Sequence, residues 1–215
     1  MFARARHLNG IYAIVDAGTS AAPLDLLESL LGAGIVLVQY RAKGGIDRDL
    51  VRRMHRLTRA ADATLIVNDD LDAALDADGL HLGQDDIAAL DAGALRARLA
   101  GRLLGISCAT PEQARAAATL GADYVGTGPF AATGSKRDAR APIGAHGVRA
   151  VVAATSLPVA AIGGIGLENL PEVAGTGAAM AAIISALAYG PDPGRNARAL
   201  IERWQSVTAP MTQAQ

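Results

Sequence analysis

The sequence is short of several things at once, and each shortage removes a class of answers. It has one cysteine, Cys108, so no intrachain disulfide can form and a reducing compartment is the natural setting. Aromatic residues make up only 3% of the 215 positions. No stretch approaches 18 uninterrupted apolar residues, which excludes a membrane-spanning helix. The formal net charge is −1, so no bulk attraction to nucleic acid or acidic lipid is expected. Residues 1–7 carry arginines, but no apolar run follows them, so no secretory signal is expected and the cytoplasm is the expected location.

What is abundant is small and aliphatic. Half of the chain is hydrophobic, dominated by Ala, Val, Ile and Leu, with 24 glycines. That mixture suits helices packed closely on a sheet and tight turns between the two. Eight short apolar runs stand out, at 11–15, 35–38, 64–67, 79–82, 103–106, 124–126, 159–162 and 179–184. Segments with helical spacing of Leu and Ala lie between most of them: 24–31, 50–61, 111–120, 145–154 and 195–204. A short helix fits 71–75. Pro23 and Pro111 sit where first-turn prolines belong, and Gly34, Gly121 and Gly177 where a helix ends before a strand. Eight strand–helix units in one chain of this length predict an α/β fold, a single-domain (β/α)8 TIM barrel over residues 1–215, with a polar, frayed tail at 209–215. A doubly wound open sheet is the alternative, but Val15-Asp16-Ala17-Gly18 after the first strand does not match a dinucleotide-binding turn.

In such a barrel, chemistry belongs to residues at the carboxyl ends of the strands. After strand two come Gln39-Tyr40-Arg41-Ala42-Lys43, where Gln39, Arg41 and Lys43 alternate and so share a side in an extended chain. An amide donor and two cations suit a phosphate or pyrophosphate. Asn68-Asp69 follows strand three, and Gln84-Asp85-Asp86 follows strand four. Carboxylates on adjacent loops suit Mg²⁺ holding a substrate phosphate, although in isolation they read better as helix N-caps. Ser107 ends strand five as an oxyanion donor or a turn residue, and Cys108 beside it reads as a small buried hydrophobe. His81, inside strand four, reads better as a packed structural histidine than as a site residue. The Gly-rich loop after strand six offers Thr133, Gly134, Ser135 and Lys136. Gly163-Gly164 after strand seven, with Ile184-Ser185 after strand eight, stands where such barrels hold phosphates on backbone N–H groups. One anion site with a metal and another without suggest transfer of an activated carbon group from a pyrophosphate to a monophosphorylated nucleophile.

With these motifs in order, Gln39-x-Arg41-x-Lys43, Asn68-Asp69, His81-x-Gly83-Gln84-x-Asp86, Gly105-x-Ser107 and Ala161-Ile162-Gly163-Gly164-Ile165, the chain resembles the thiamine-phosphate synthase family over nearly its whole length. The resemblance implies the same barrel and the condensation of hydroxymethylpyrimidine pyrophosphate with hydroxyethylthiazole phosphate, giving thiamine phosphate and pyrophosphate by dissociative loss of pyrophosphate. It implies that Gln39, Tyr40, Arg41, Ala42, Lys43 and Asn68 bind the pyrimidine pyrophosphate, and that Asp69 and Asp86 bind one Mg²⁺ per site. Ser107 and Lys136 would then meet the pyrophosphate. Thr133, Gly134 and Ser135 would meet the thiazole, and Gly164, Ile184 and Ser185 its phosphate. Arg41, Lys43, Ser107 and Lys136 would carry the catalysis. The partners expected are these small molecules, with neither nucleic acid nor membrane, and the sequence leaves room for a homo-oligomer. The chain departs from the family pattern at Tyr40, Ala42 and Ser135, at Ala132 before Thr133, and in a shorter segment between Ala74 and Gly79. The competing readings are a thiazole tautomerase, a silent barrel that binds thiazole or thiamine phosphate, and a sugar-phosphate isomerase or lyase with Asp16 and His81 as its acid–base pair.

Overall fold

Strand residues alternate between two faces, and in this chain the two faces bury different things. In the computed structural model, which describes residues 3–88, 91–134 and 141–209, eight parallel strands close on themselves in chain order. They are β1 (Gly10–Asp16), β2 (Leu37–Arg41), β3 (Thr64–Asn68), β4 (Gly79–Leu82), β5 (Leu103–Ser107), β6 (Tyr124–Thr127), β7 (Val159–Ile162) and β8 (Met180–Ile183). β8 pairs with β1 to shut the barrel. The connecting helices are α1 (Pro23–Gly32), α2 (Arg48–Ala60), α3 (Leu71–Ala74), α4 (Gln84–Ala88), α5 (Ala92–Leu99), α6 (Pro111–Thr119), α7 (Gly144–Val152), α8 (Leu170–Ala174), α9 (Ser185–Ala188) and α10 (Pro193–Thr208). The barrel expected from the sequence is therefore the one observed. Among the described residues no helix is long and apolar enough to cross a membrane.

The outward faces of the strands, with Ile11, Val15, Val38, Leu65, Leu80 and Leu104, bury against the helices. The inward faces form a separate core of Tyr12, Ile14, Leu37, Ile66, Leu103, Tyr124, Ala160, Met180 and Ala182. A short 3₁₀ helix, Ala3–His7, closes the amino-terminal end: Leu8 joins the inner core and the buried His7 bonds Thr64 Oγ1 through Nδ1 at 2.8 Å. Sequence patterning gave no sign of this plug, because five residues are too few to show a period.

One strand is displaced from its expected position. The run at 35–38 was read as β2, yet β2 begins at Leu37 and continues through Arg41. Ile35 instead closes α1, donating its N–H to Leu30 O at 3.1 Å after Gly34 takes φ +98. The polar residues Gln39 and Arg41 are strand residues because each has a register partner on β1, Ile14 and Asp16. Gly121 and Gly177 also take positive φ at their helix-to-strand joints, as expected. The residues after β4, expected as a loop, open with α4; five residues again carry no period.

The inner core holds two tyrosines because neighbouring strands withdraw. A Cβ on Gly105 would lie 2.1 Å from Tyr124 Cζ and 2.5 Å from His81 Nδ1. The Gly105→Ala variant is expected to lose about 3 kcal/mol of stability, the high end of overpacking costs, read as a lowered urea midpoint.

Candidate active site

The inward faces end, at the carboxyl ends of the strands, in a polar layer. On β1 and β2, Asp16 and Arg41 are register partners, and Arg41 Nη1 forms an ion pair with Asp16 Oδ2, both side chains about 10% exposed. Asp16 Oδ1 also accepts the Gly18 N–H at 2.7 Å. The carboxylate is fully engaged in fixing the guanidinium, so it is not a base waiting for a substrate. Gln39, one step deeper, donates from Nε2 to Tyr12 Oη at 2.8 Å. Tyr40 lies between them and so faces the helix layer, where its ring is buried; only its backbone is left to the site. Lys43 lies beyond the strand in an exposed turn, so the alternation that joins Gln39 to Arg41 stops short of it.

Asn68 ends β3 opposite His81 of β4. Asp69 follows with φ +63, a left-handed conformation that costs a non-glycine residue about 1 kcal/mol. Its N–H is held by His81 O at 2.9 Å, and its side chain is turned out at the barrel mouth. The cap role that competes for these aspartates is played by Asp70, whose Oδ1 accepts the Ala73 N–H at 2.9 Å. Asp86 sits in the first turn of α4 and takes the Gly83 N–H on Oδ2 at 3.0 Å, so it serves its helix. Gln84 Nε2 grips the Ser107 carbonyl at 2.5 Å, tying β4 to β5. Cys108 is buried, and burial pushes its thiol up to about 11, which leaves it no thiolate for nucleophilic work.

The other side of the mouth is backbone and apolar surface. The chain after β6 runs along the end of β7, with Phe130 N–H on Ile162 O at 2.8 Å and Ala131 N–H on Gly163 O at 2.9 Å. Gly163 and Gly164 have positive φ, and a Cβ on Gly164 would stand 2.6 Å from Ala132 O. These glycines are therefore demanded by the packing of two loops as well as by any ligand. Asn169 braces the turn from outside, its Nδ2 on Gly164 O at 2.8 Å and its Oδ1 under the Gly166 N–H at 2.9 Å. Ile184 caps α9 and Ser185 begins it.

A cavity of about 320 Å³ gathers Ser107, Thr133, Gly164, Ile184 and Ser185, with Gln84, Asp85, Pro129, Ile162 and Ile165. A second depression, of about 340 Å³, is lined by Ala42, Asn68 and Asp69. Eight of the expected site residues thus divide between two hollows, while Gln39, Tyr40, Arg41, Lys43 and Asp86 line neither. Gly134 is exposed beside Thr133, and Ser135 and Lys136 lie outside the described residues. Among the described residues no three acidic, histidine or cysteine side chains cluster as a ready metal cage. Asp69, just past β3, and Asp86, in the first turn of α4, are oxygen donors of the kind a Mg²⁺ takes when its remaining oxygens come from phosphate and water.

Residues the sequence did not put forward are Tyr12 and Tyr124 inside the barrel, Asp16 as the partner of Arg41, and Asn169 behind the glycine turn. Composition adds weight to two residues that the sequence does put forward. The chain has two lysines, Lys43 and Lys136, against eighteen arginines, so both positions where an ammonium is retained fall among the site candidates. The Asp16→Asn variant leaves Arg41 charged and half-satisfied near the mouth. It is expected to cost about 2 kcal/mol, read by chemical denaturation.

Residues 11–187 match the family model described as thiamine monophosphate synthase. The thiamine-phosphate synthase of Moorella thermoacetica is 41% identical over 201 residues, covering 89% of this chain and 94% of that one. The enzyme of the same name from Geobacillus kaustophilus is 41% identical over 202 residues, covering 89% and 90%. Among solved structures, thiamine phosphate pyrophosphorylase from Pyrococcus furiosus superposes with a TM-score of 0.84 at 31% identity, covering 94% of this chain and 98% of that one. The chain is an enzyme of thiamine biosynthesis, a transferase, and it belongs to the thiamine monophosphate synthase family.

Proposed function

We propose that this enzyme condenses hydroxymethylpyrimidine pyrophosphate with hydroxyethylthiazole phosphate. The observation that carries the reading is the make-up of the polar layer: a fixed cation, Arg41, with hydrogen-bonding groups at the strand ends, while among the described residues the one cysteine is a neutral thiol and Asp16 is paired. Arg41 is preorganised by Asp16 to face a leaving pyrophosphate, and the exposed Lys43 adds a second, mobile cation beside it. Cys108 is a neutral, buried thiol. Asp16 is bound to Arg41, which removes half of the acid–base pair an isomerase or lyase would use.

In this reading the pyrimidine ring meets Gln39 and Asn68, and Ser107 donates a hydrogen bond to the departing pyrophosphate. The bond between the pyrimidine methylene carbon and the pyrophosphate oxygen breaks with both electrons going to oxygen. The thiazole nitrogen then gives its lone pair to the methylene cation. No proton has to leave a carbon, so the step needs no strong base. The cavity walled by Pro129, Ile162 and Ile165 suits the thiazole ring, and the Gly163-Gly164 turn with Ser185 suits its phosphate. Ser135 and Lys136 follow Thr133 in sequence, and the resemblance gives the first to the thiazole and the second to the pyrophosphate. Asp69 and Asp86 would hold the Mg²⁺, which when bound neutralises charge on the leaving pyrophosphate. The left-handed backbone at Asp69 supports this role, because strain held at a strand end is retained where a side chain must stand in one place.

Release of pyrophosphate from the two substrates is expected to require both of them and Mg²⁺, with thiamine phosphate formed, and to stop on adding chelator. Release without the thiazole phosphate, or turnover undiminished by chelator, would sink the reading. The Asp69→Ala and Lys136→Ala variants are expected to stay folded and lose at least a hundredfold in kcat, on the order of one charge-stabilising contact each. Normal turnover in either removes that residue from the mechanism.

A further inference from the structure

A single hydrogen-bonded line crosses the barrel interior from one side of the candidate site to the other. Gln39 Nε2 donates to Tyr12 Oη at 2.8 Å. The Tyr12 and Tyr124 hydroxyls lie 2.7 Å apart. Tyr124 Oη meets His81 Nδ1 at 3.0 Å, and His81 Nε2 meets Ser107 Oγ at 3.0 Å. The line takes residues from β2, β1, β6, β4 and β5, and all but Ser107 are buried. The rings stack to suit it: Tyr12 and Tyr124 meet edge to face at 5.8 Å, and His81 tilts against Tyr124 at 5.5 Å. Burial raises both phenols well above their ordinary value, so each keeps its one proton.

One proton per hydroxyl gives the line a direction. Tyr12 accepts from the Gln39 amide, so its own proton goes to Tyr124. Tyr124 in turn donates to His81 Nδ1. The imidazole is then neutral with its proton on Nε2, and that proton goes to Ser107 Oγ. Ser107 is left with its hydroxyl proton free for the cavity it lines. The opposite order, with the Gln39 amide unchanged, would leave the Tyr12 proton buried without an acceptor. Only turning the Gln39 amide over reverses every bond at once, and Ser107 would then give its proton to His81 and show the cavity a lone pair.

We propose that Gln39, Tyr12, Tyr124 and His81 form a proton-ordered line that sets Ser107 as a donor, with Tyr12, Tyr124 and His81 as positioning residues. The proposal rests on the synthase reading for what Ser107 and Gln39 contact. A substrate group that donates to Gln39 Oε1 holds the amide nitrogen on Tyr12. Recognition of the pyrimidine at one end therefore orients the hydroxyl that meets the leaving group at the other.

The order of the line is tested without turnover by ¹⁵N NMR of histidine-labelled enzyme, with the His81→Gln variant used to assign the signal. The expected result is neutral His81 protonated at Nε2 and not at Nδ1. A proton on Nδ1, or a doubly protonated ring at neutral pH, overturns the proposal. Kinetics test the coupling. Tyr124→Phe is expected to lower kcat about tenfold, the worth of one hydroxyl orientation, with the KM for thiazole phosphate unchanged. In a Ser107→Ala background the same change is expected to do nothing further, because the group being oriented is gone. His81→Asn, which keeps an acceptor for Tyr124 but has nothing at the Nε2 position, is expected to fall as Ser107→Ala does, and His81→Gln to recover most of the loss. Multiplicative effects of Tyr124→Phe and Ser107→Ala, or full kcat in folded Tyr124→Phe, would overturn the proposal. Wild-type enzyme that makes no thiamine phosphate would sink the synthase reading instead, and the NMR result would still decide the order of the line.

Discussion

The contact on which the rest of this barrel depends is the edge-to-face meeting of Tyr12 and Tyr124 at its centre. Small TIM barrels fill their interiors with layers of branched aliphatic side chains. Here two large rings occupy the middle, and their hydroxyls must be satisfied because neither reaches solvent. Both requirements fall on neighbouring strands. β5 and β6 give up side chains at Gly105 and Gly126, the positions that face the rings and His81. β2 and β4 supply Gln39 and His81 as polar partners. The inner core is therefore apolar below, where Leu8, Leu37 and Met180 pack, and polar above, where the strands end. That gradient brings hydrogen-bonding groups to the mouth on rigid strands, and a site held by strands is set more closely than one held by loops.

For the proposed reaction, the two sides of the mouth would hold an anion differently. On the β1–β2 side a charged side chain is fixed by a buried counter-charge, since Asp16 and Arg41 are register partners and a shift by one residue would turn both into the helix layer. On the β7–β8 side no cation is needed, because the paired glycines expose backbone N–H groups and Asn169 holds the turn from behind. A fixed cation can follow charge that grows on a leaving group. Backbone donors only have to hold a phosphate that does not react.

Local signals carried most of the fold. A strand–helix alternation is written in runs of four to seven residues and in first-turn prolines and terminal glycines, all readable without knowing what touches what. The exceptions are of two kinds. The closing 3₁₀ helix, α4, α8 and α9 span five residues or fewer, too few to show a period, and the eight residues of α5 bury only Leu95 and Leu99 and show none either. The start of β2 was misplaced because Ile35 is as apolar as a strand residue while its backbone closes α1. The candidate site was legible to the extent that position alone decides it. Strand-end residues such as Arg41, Asn68 and Ser107 follow from the barrel rule, whereas their partners do not. Asp16 and Arg41 are 25 residues apart and Tyr12 and Tyr124 are 112 apart, and no periodicity joins them. The same gap explains His81. Its sequence context suggested a packed structural histidine; it is packed, but between two hydroxyls, one of them at the cavity.

The use of basic residues separates the charges that serve the fold from those that serve the site. Arginine covers the surface: Arg48 and Arg52 share Asp76, Arg98 meets Asp72, and Arg6 meets Asp62, all in exposed or partly exposed pairs worth little individually. A planar fork is also what the fixed pair at Arg41 needs, since one side of the guanidinium holds Asp16 while the other remains for a ligand. Lys43 and Lys136 break this habit: Lys43 stands in an exposed turn just past β2, and Lys136 lies outside the described residues. An ammonium on a flexible stem can follow an oxygen that moves as a bond lengthens, which a guanidinium locked to a carboxylate cannot do. Under the proposed reaction the division of labour is physical: Arg41 would mark where the leaving group starts, and the exposed Lys43 would follow where it goes.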